Sequence, residues 1–506
     1  MTARRHNHRS PFALAALALL GGCMVGPTYR GPPGVAPRAE TAAAYRRSAV
    51  APVTDEPPLA RWWLALGDDT LDGIETDALA NSPTLERALG VVREARATVR
   101  ESSSALLPQG GANAVYARVG IPGSIDDALG GAAGGGAAGA SGGSGTQLPE
   151  NLSLYNVGLL ATWEVDLFGG TRRQIASARA SLEASQARLE DAQVTLTKDV
   201  ATAYVNLRDA QARLTLARHD AEVQARMLDL TRRRRLGGTA TDIDVERVFA
   251  QLKRTEATAV PLAGQVEVYT DQLSQLAGHE PGALDAALAA PRPLPLPPEQ
   301  SAIGRPADLL RRRPDIRAAE RRLAASSEDI GASIARYFPT VNLYGTIGYG
   351  STRAAGLFDG GNLLKLAAPV LSWNFLGFPM VKAQVEESRG RFDQARASYR
   401  STILSALLDA ENALSRFGHQ RDNVVSLAEA SASAARAAAK ADIRFRGGTT
   451  TLIDALDAER QRVETQSNLA QAQAMLTTDW IGLQSSLGLG WGVVDAGNGA
   501  KPVGRP

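Results

Sequence analysis

Ser82-Pro83-Thr84-Leu85, followed by Leu107-Pro108, returns later in the chain as Arg313-Pro314-Asp315-Ile316 followed by Phe338-Pro339. In both places 25 residues separate the two prolines, and the copies lie 231 residues apart. A second set of landmarks repeats at another offset. Trp163 and Trp373, Gly237-Gly238 and Gly447-Gly448, and Asp244 and Asp454 are each 210 residues apart. The chain is therefore written twice, with 21 extra residues between Pro108 and Trp163 of the first copy. That interval holds a Gly/Ala/Ser tract from Ala128 to Thr146, which has too little apolar surface to pack a core and reads as a flexible loop.

Each copy runs through the same elements. A helical stretch (70–107, then 306–338) ends at proline. Two strand-like runs follow, 112–121 with 153–166 and then 340–350 with 364–375, rich in aromatic and β-branched residues and separated by glycine-bearing loops. Next come a very long helix (171–236, then 378–446), a Gly-Gly turn and a return helix (242–278, then 452–487). A Pro-rich segment, 291–298, joins the copies.

The long helices cannot belong to a compact domain. About 66 residues at 1.5 Å each make a rod of roughly 100 Å. In the first, Ile175, Leu182, Leu189 and Leu196 recur every seven residues, and after a step of four Val200, Leu207, Leu214, Ala221 and Leu228 resume the count. This is a heptad seam with one stutter, which relaxes supercoiling where a helix swings between neighbours. The second long helix has two seams, Val385–Phe392–Tyr399–Ala406–Ala413 and Ile403–Ala410–Phe417–Val424, as a helix with two neighbours would. A dimeric coiled-coil rod is the simplest alternative, but it leaves the paired strands unexplained. Those strands are the length a tilted membrane strand needs, and four per chain cannot close a barrel, which takes at least about eight. Three chains would supply twelve.

The address is equally readable. Arg4, Arg5 and Arg9, an apolar run from Pro11 to Leu20, and Leu20-Gly21-Gly22-Cys23 form an export signal ending in a tetrapeptide that resembles a lipobox. Such a cysteine receives diacylglycerol and its amino group is acylated after cleavage, giving a firm anchor because each buried methylene contributes about 0.8 kcal/mol. Met24 follows where lipoproteins retained at the inner membrane carry Asp. Beyond the signal no run of about 18 apolar residues appears, so a membrane crossing would have to use strands. A hydrophobic content of 44% argues against disorder, and 55 basic against 53 acidic residues give no general case for nucleic acid. Cys23 is the only cysteine, which removes disulfides and a thiolate catalyst from the mature chain.

The N-terminal residues Cys23-Met24-Val25-Gly26-Pro27-Thr28-Tyr29, then Trp62-Trp63, Gly67-Asp68, Leu71 and Asn81-Ser82-Pro83, carry a family likeness. So do Trp163-Glu164-Val165-Asp166-Leu167-Phe168-Gly169, Arg312-Arg313-Pro314-Asp315-Ile316 and Leu456-Asp457-Ala458-Glu459-Arg460. From Cys23 to about Leu489 the chain resembles the TolC-like outer-membrane factor family, in its lipoprotein branch serving resistance-nodulation-division efflux systems. The resemblance implies a mainly α homotrimer with a 12-stranded β-barrel in the Gram-negative outer membrane, continuous with a 12-helix α-barrel tunnel through the periplasm. It divides the chain into a signal peptide (1–22), a lipid-anchored equatorial segment (23–69), a first repeat (70–278), an equatorial linker (279–305), a second repeat (306–487) and a tail (488–506). The implied partners are a periplasmic adaptor, an inner-membrane resistance-nodulation-division transporter and outer-membrane lipid.

In that topology the Gly-Gly turns, Gly237-Gly238 and Gly447-Gly448, lie at the periplasmic tip and would meet the adaptor. Asp454 and Asp457 share a helix face and match the family's lumen-lining aspartates, with Asp244 the first-copy counterpart of Asp454. Arg460 resembles a latch arginine that holds neighbouring helices shut. Phe445 stands where a gate tyrosine is frequent and cannot hydrogen-bond, so closure must use packing or other partners. The plainer reading of Asp454 and Asp457 is that acids favour a helix's first turn.

The basic run Arg232–Arg235 lacks interleaved aromatics and ends a helix, where the dipole favours cations, so nucleic-acid binding is not expected. His219, His279 and His419 have no zinc-ligand spacing, and no phosphate-cradling loop follows a strand. No catalytic residue, metal or cofactor is expected, and the channel should be passive. The nearest rival function is a duct for type I protein secretion; a periplasm-spanning structural lipoprotein without conductance is a rival of another class.

Overall fold

The computed structural model describes residues 24–120 and 151–492. Cys23 and the whole signal-like stretch before it, and the Gly-rich tract, lie outside the described residues. The chain divides into two units. One comprises the N-terminal residues to Arg30, Arg96–Ala180 and Ala324–Asp393; the other comprises Gly31–Ala95, Ser181–Leu323 and Gln394 onward.

The first unit is built on a sheet. Strands β2 (Gln109–Gly120), β3 (Asn151–Val165), β5 (Thr340–Ser351) and β6 (Leu363–Ser372) form an antiparallel meander in the order β2-β3-β5-β6, while the two-residue strands β1 (Val53–Thr54) and β4 (Ser301–Ala302) belong to the second unit. The register sets Leu159 opposite Ala112 and Ile347, and Trp163 opposite Leu343. Since side chains alternate across a strand, Tyr116, Tyr155, Leu159, Ile347, Tyr349 and Leu371 share one face, and Asn113, Asn156, Gly158, Thr162, Thr346 and Gly348 share the other. The Leu159 face lies open in the single chain, with Leu159 59% exposed and Leu371 68%, and the other face sets exposed Leu160, Leu364, Leu366 and Val370 beside its polar residues. Among the described residues, strands β2 and β6 each present an unpaired edge.

The prolines correct one expectation. Instead of single helices over 70–107 and 306–338, the structure has Asp69–Asn81 followed by Pro83–Ser104, and Pro306–Arg312 followed by Pro314–Ala335. Ser82 (φ −62°, ψ 125°) and Arg313 (φ −60°, ψ 123°) are extended. Proline has no N–H for the helix ladder and its ring drives the preceding residue out of the helical region.

The repeat offsets meet in one side-chain bond. The indole of Trp163 donates to the carbonyl of Leu106 at 2.9 Å, and that of Trp373 donates to Tyr337 at 3.0 Å. Each ties the end of a strand to the turn before the Leu107-Pro108 or Phe338-Pro339 step. The tryptophans are 210 residues apart and their acceptors 231, so the same bond survives the insertion between them.

The second unit holds most of the two long helices, Gly170–Leu236 and Phe378–Arg446, and the return helices Asp242–Leu276 and Leu452–Ser486. The heptad seam is buried at Leu189, Leu196, Val200, Leu207, Leu214 and Leu228. Proline-rich chain offers carbonyls without matching donors, and the helices supply them. Gln211 donates to Leu288 at 2.7 Å, Arg208 to Ala290 at 3.0 Å and Thr477 to Pro295 at 2.9 Å. Strand β4 then pairs in parallel with β1, and the Trp480 indole donates to Ser301 Oγ at 2.7 Å. Among the described residues no helix is long and apolar enough to cross a membrane.

Candidate gate at the helix tips

Both long helices end in the same way. Arg233–Arg235 and Gly237-Gly238 close the first: Gly238 adopts φ +73°, and the Thr239 amide donates to Arg234 O at 2.8 Å. In the second copy Gly448 adopts φ +73° and the Thr449 amide donates to Arg444 O at 2.9 Å. This six-to-one closure needs a left-handed residue, which glycine supplies without steric cost.

The return helices also start alike. Thr241 caps the first: its hydroxyl accepts from the Asp244 amide at 3.2 Å, while Asp244 Oδ2 accepts from the Thr241 amide at 2.9 Å. Thr451 and Asp454 repeat this reciprocal cap, and Asp454 Oδ2 also accepts from the hydroxyls of Thr451 (2.6 Å) and Thr450 (3.0 Å). Hydrogen bonds from Thr451, Thr450 and the backbone hold the Asp454 carboxyl below its ordinary range, and bonds from Thr241 do the same for Asp244. These aspartates therefore cap helices, as first-turn acids do.

Phe445 is buried beneath Arg234. The guanidinium carbon lies 4.2 Å from the ring centroid, and Nη2 donates to Phe445 O at 3.0 Å. The partner that a phenylalanine needs in place of a hydrogen bond is thus a cation over its face. Arg460 pairs with Asp457 at 3.1 Å on its own helix, both side chains being well exposed, and among the described residues no ion pair joins it to a neighbouring helix.

Two features escaped sequence reading. Arg462 joins Asp220 of the first long helix at 2.6 Å and Glu459 of its own helix at 2.7 Å, and the Asp220 side chain is 1% exposed. Bonds from Glu459 and Asp220 hold the Arg462 guanidinium ionised, raising its pKa further. Only the Glu459–Arg462 spacing was a signal. The Arg232–Arg235 run is also largely occupied: Arg233 pairs with Asp229 at 2.7 Å, Arg235 pairs with Asp242, and Arg234 covers Phe445. His279 meets Asp77 at 2.6 Å. Among the described residues no group of three or more His, Cys, Asp or Glu is placed to hold a metal.

A family model described as outer membrane efflux protein matches residues 76–279 and 306–489. Outer membrane protein OprJ of Pseudomonas aeruginosa is 29% identical over 490 residues, covering 95% of this chain and 96% of that protein. Nodulation protein T of Rhizobium leguminosarum bv. trifolii is 27% identical over 494 residues, covering 96% and 97%. The solved outer-membrane channel OprN superposes with a TM-score of 0.81 at 33% identity, over 92% of this chain and 99% of that chain. The open state of the Neisseria gonorrhoeae MtrE outer membrane channel gives 0.74 at 26% identity, over 92% and 98%. With the match spanning both copies of the repeat, the chain belongs to the outer membrane efflux protein family and is the outer-membrane channel component of an efflux pump.

Proposed function

We propose that this channel works as a homotrimer anchored by acylation of Cys23 and gated at its helix tips. The observation that carries the trimer is the four-stranded sheet. It has two open edges and an exposed apolar face, and three copies joined edge to edge give twelve strands, enough to close a barrel with that face toward lipid and Asn113, Asn156, Thr162 and Thr346 toward the lumen. Residues 23–69 and 279–305, joined through β1 and β4, surround the helices, and the two repeats, 70–278 and 306–487, supply sheet and helices in turn. Gly237-Gly238 and Gly447-Gly448 offer a periplasmic adaptor a small-residue surface, and the adaptor links the channel to an inner-membrane resistance-nodulation-division transporter. That transporter provides the energy; the channel is passive and has no enzymatic step.

The gate comprises Asp454, Asp457, Arg460, Asp244 and Phe445. Three copies of Asp454 and Asp457 place carboxylates around a narrow passage, which favours cations. Small molecules are the favoured cargo over secreted proteins, because relatives carry the names toluene efflux pump outer membrane protein and pyoverdine export outer membrane protein. Mass measurement and single-channel recording of the purified protein in a planar bilayer test the reading. A trimer with cation-selective conductance is expected; a non-conducting particle of another stoichiometry would overturn it.

A further inference from the structure

The first described residues are locked to the sheet-bearing unit by a buried arginine. Arg173, 1% exposed, donates through Nε to Val25 O and through Nη2 to Gly26 O, both at 3.2 Å, and its Nη1 meets Glu328 Oε2 at 2.6 Å. The Val25 amide donates to Phe168 O at 3.2 Å. Two glycines make room. A Cβ on Gly26, at φ +88°, would stand 2.7 Å from Gly331 Cα, and one on Gly331 would stand 2.7 Å from Arg173 Nε.

This lock exists in only one half of the repeat. At the corresponding positions of the other copy Arg173 becomes Ala383, Glu328 becomes Ala97 and Gly331 becomes Arg100. The tryptophan bonds, Gly-Gly turns and threonine caps are shared by both halves, whereas the lock serves residues 24–26, which have no second copy. It acts beside the end of β3, where the Phe168 and Phe338 rings stack at 4.6 Å. Within the same unit Trp373, Phe375, Leu376 and Met380 are all more than half exposed, a cluster of the amphipathic and apolar side chains that sit at a membrane–water boundary.

We propose that Arg173 is the positioning residue of the lipid anchor, holding residues 24–26 so that acyl chains on Cys23 enter the same phospholipid leaflet as Trp373, Phe375, Leu376 and Met380. This rests on the proposed acylation of Cys23. One peptide link, about 3.8 Å between Cα atoms, joins Cys23 to the locked segment. The anchor and these four exposed side chains then form one lipid-binding surface, and the anchor can guide the sheet end into the leaflet instead of merely tethering the chain.

The test follows newly made full-length protein into the urea-resistant outer-membrane fraction, with mass spectrometry of the N-terminal peptide. Arg173→Met should slow insertion roughly tenfold, the scale of one charge-assisted hydrogen-bond set, while acylation remains complete; Glu328→Gln, which keeps the side chain's size, should slow it less. In a Cys23→Ser chain exported by a non-lipoprotein signal, Arg173→Met should add nothing further. Equal slowing in the anchored and unanchored backgrounds would make the lock purely structural and overturn the proposal, as would undiminished insertion of both acylated variants. An unacylated wild-type peptide would instead remove the anchor reading itself, and the proposal with it.

Discussion

Arg234 closes over Phe445: its guanidinium stacks 4.2 Å from the ring centroid and donates to the same residue's carbonyl at 3.0 Å, so one side chain clamps the ends of both long helices. Arg234→Met removes the cation and the donor together. It should destabilise the tip by about 1–2 kcal/mol, the range of a partly desolvated cation–π contact, and raise leak conductance in bilayer recordings. Phe445→Tyr keeps the aromatic face and should leave leak near wild type; a tight channel in Arg234→Met would show that the clamp does not control closure.

Asp454 has two separable roles, capping and charge. Asp454→Asn keeps a hydrogen-bonding side chain at the cap while removing the charge, so it should lower cation preference with little change in melting temperature. Asp454→Ala with Asp457→Ala should lower both, and Arg460→Ala should increase leak. Asp244→Ala serves as the first-copy comparison, since Asp244 has the same reciprocal cap. Reversal potentials across a salt gradient, read beside thermal melts, separate the two roles.

Glu75 predicts a pH dependence of stability. It is 0% exposed, neither carboxyl oxygen has a hydrogen-bond partner among the described residues, and burial, with Asp72 nearby adding to it, pushes its pKa well above the usual range. A folded pKa above the unfolded value of about 4.3 means that the folded state binds the proton more tightly. Its contribution is then full below the unfolded pKa and is lost as pH rises toward the folded one. Glu75→Gln should therefore be more stable than wild type near neutrality, with the difference shrinking as the pH falls toward 4. Denaturant midpoints across that interval check it, and a constant difference would refute the burial argument.

Gly348 faces Gly158 across β3 and β5, and a Cβ there would stand 2.5 Å from Val157 O and 2.6 Å from Gly158 Cα. Both contacts are with backbone, which cannot turn aside as a side chain could. Gly348→Ala should cost about 1–3 kcal/mol and reduce the heat resistance of the inserted protein on semi-native gels, whereas Gly111→Ala, with nothing within 4 Å, should not.

The duplicated chain, the four strands, the long helices with their seams and the Gly-Gly turns could be read from residue order, because each depends on local spacing: proline to proline, heptad to heptad, glycine after the last helical turn. The splits at Pro83 and Pro314 were legible in principle, since the constraint is covalent, yet helical composition on both sides hid them. At the tip, spacing placed Asp454 and Asp457 on one helix face and the family resemblance singled them out with Arg460, but neither said what they touch.

Sequence by itself thus determined the duplicated order of helices, strands and Gly-Gly turns, through periodicity and backbone chemistry that act over a few residues, while resemblance to a family pointed to the candidate gate. Tertiary structure alone decided the partners: Arg234 on Phe445, Arg462 between Asp220 and Glu459, and Arg173 around Val25 and Gly26. Arg234 and Phe445 are 211 positions apart in the chain, and Arg173 and Gly26 are 147. No local period encodes such a pair. A long, flexible cation finds its ring, carboxylate or carbonyl only after packing has fixed which helix faces which, and burial then sets what that contact is worth.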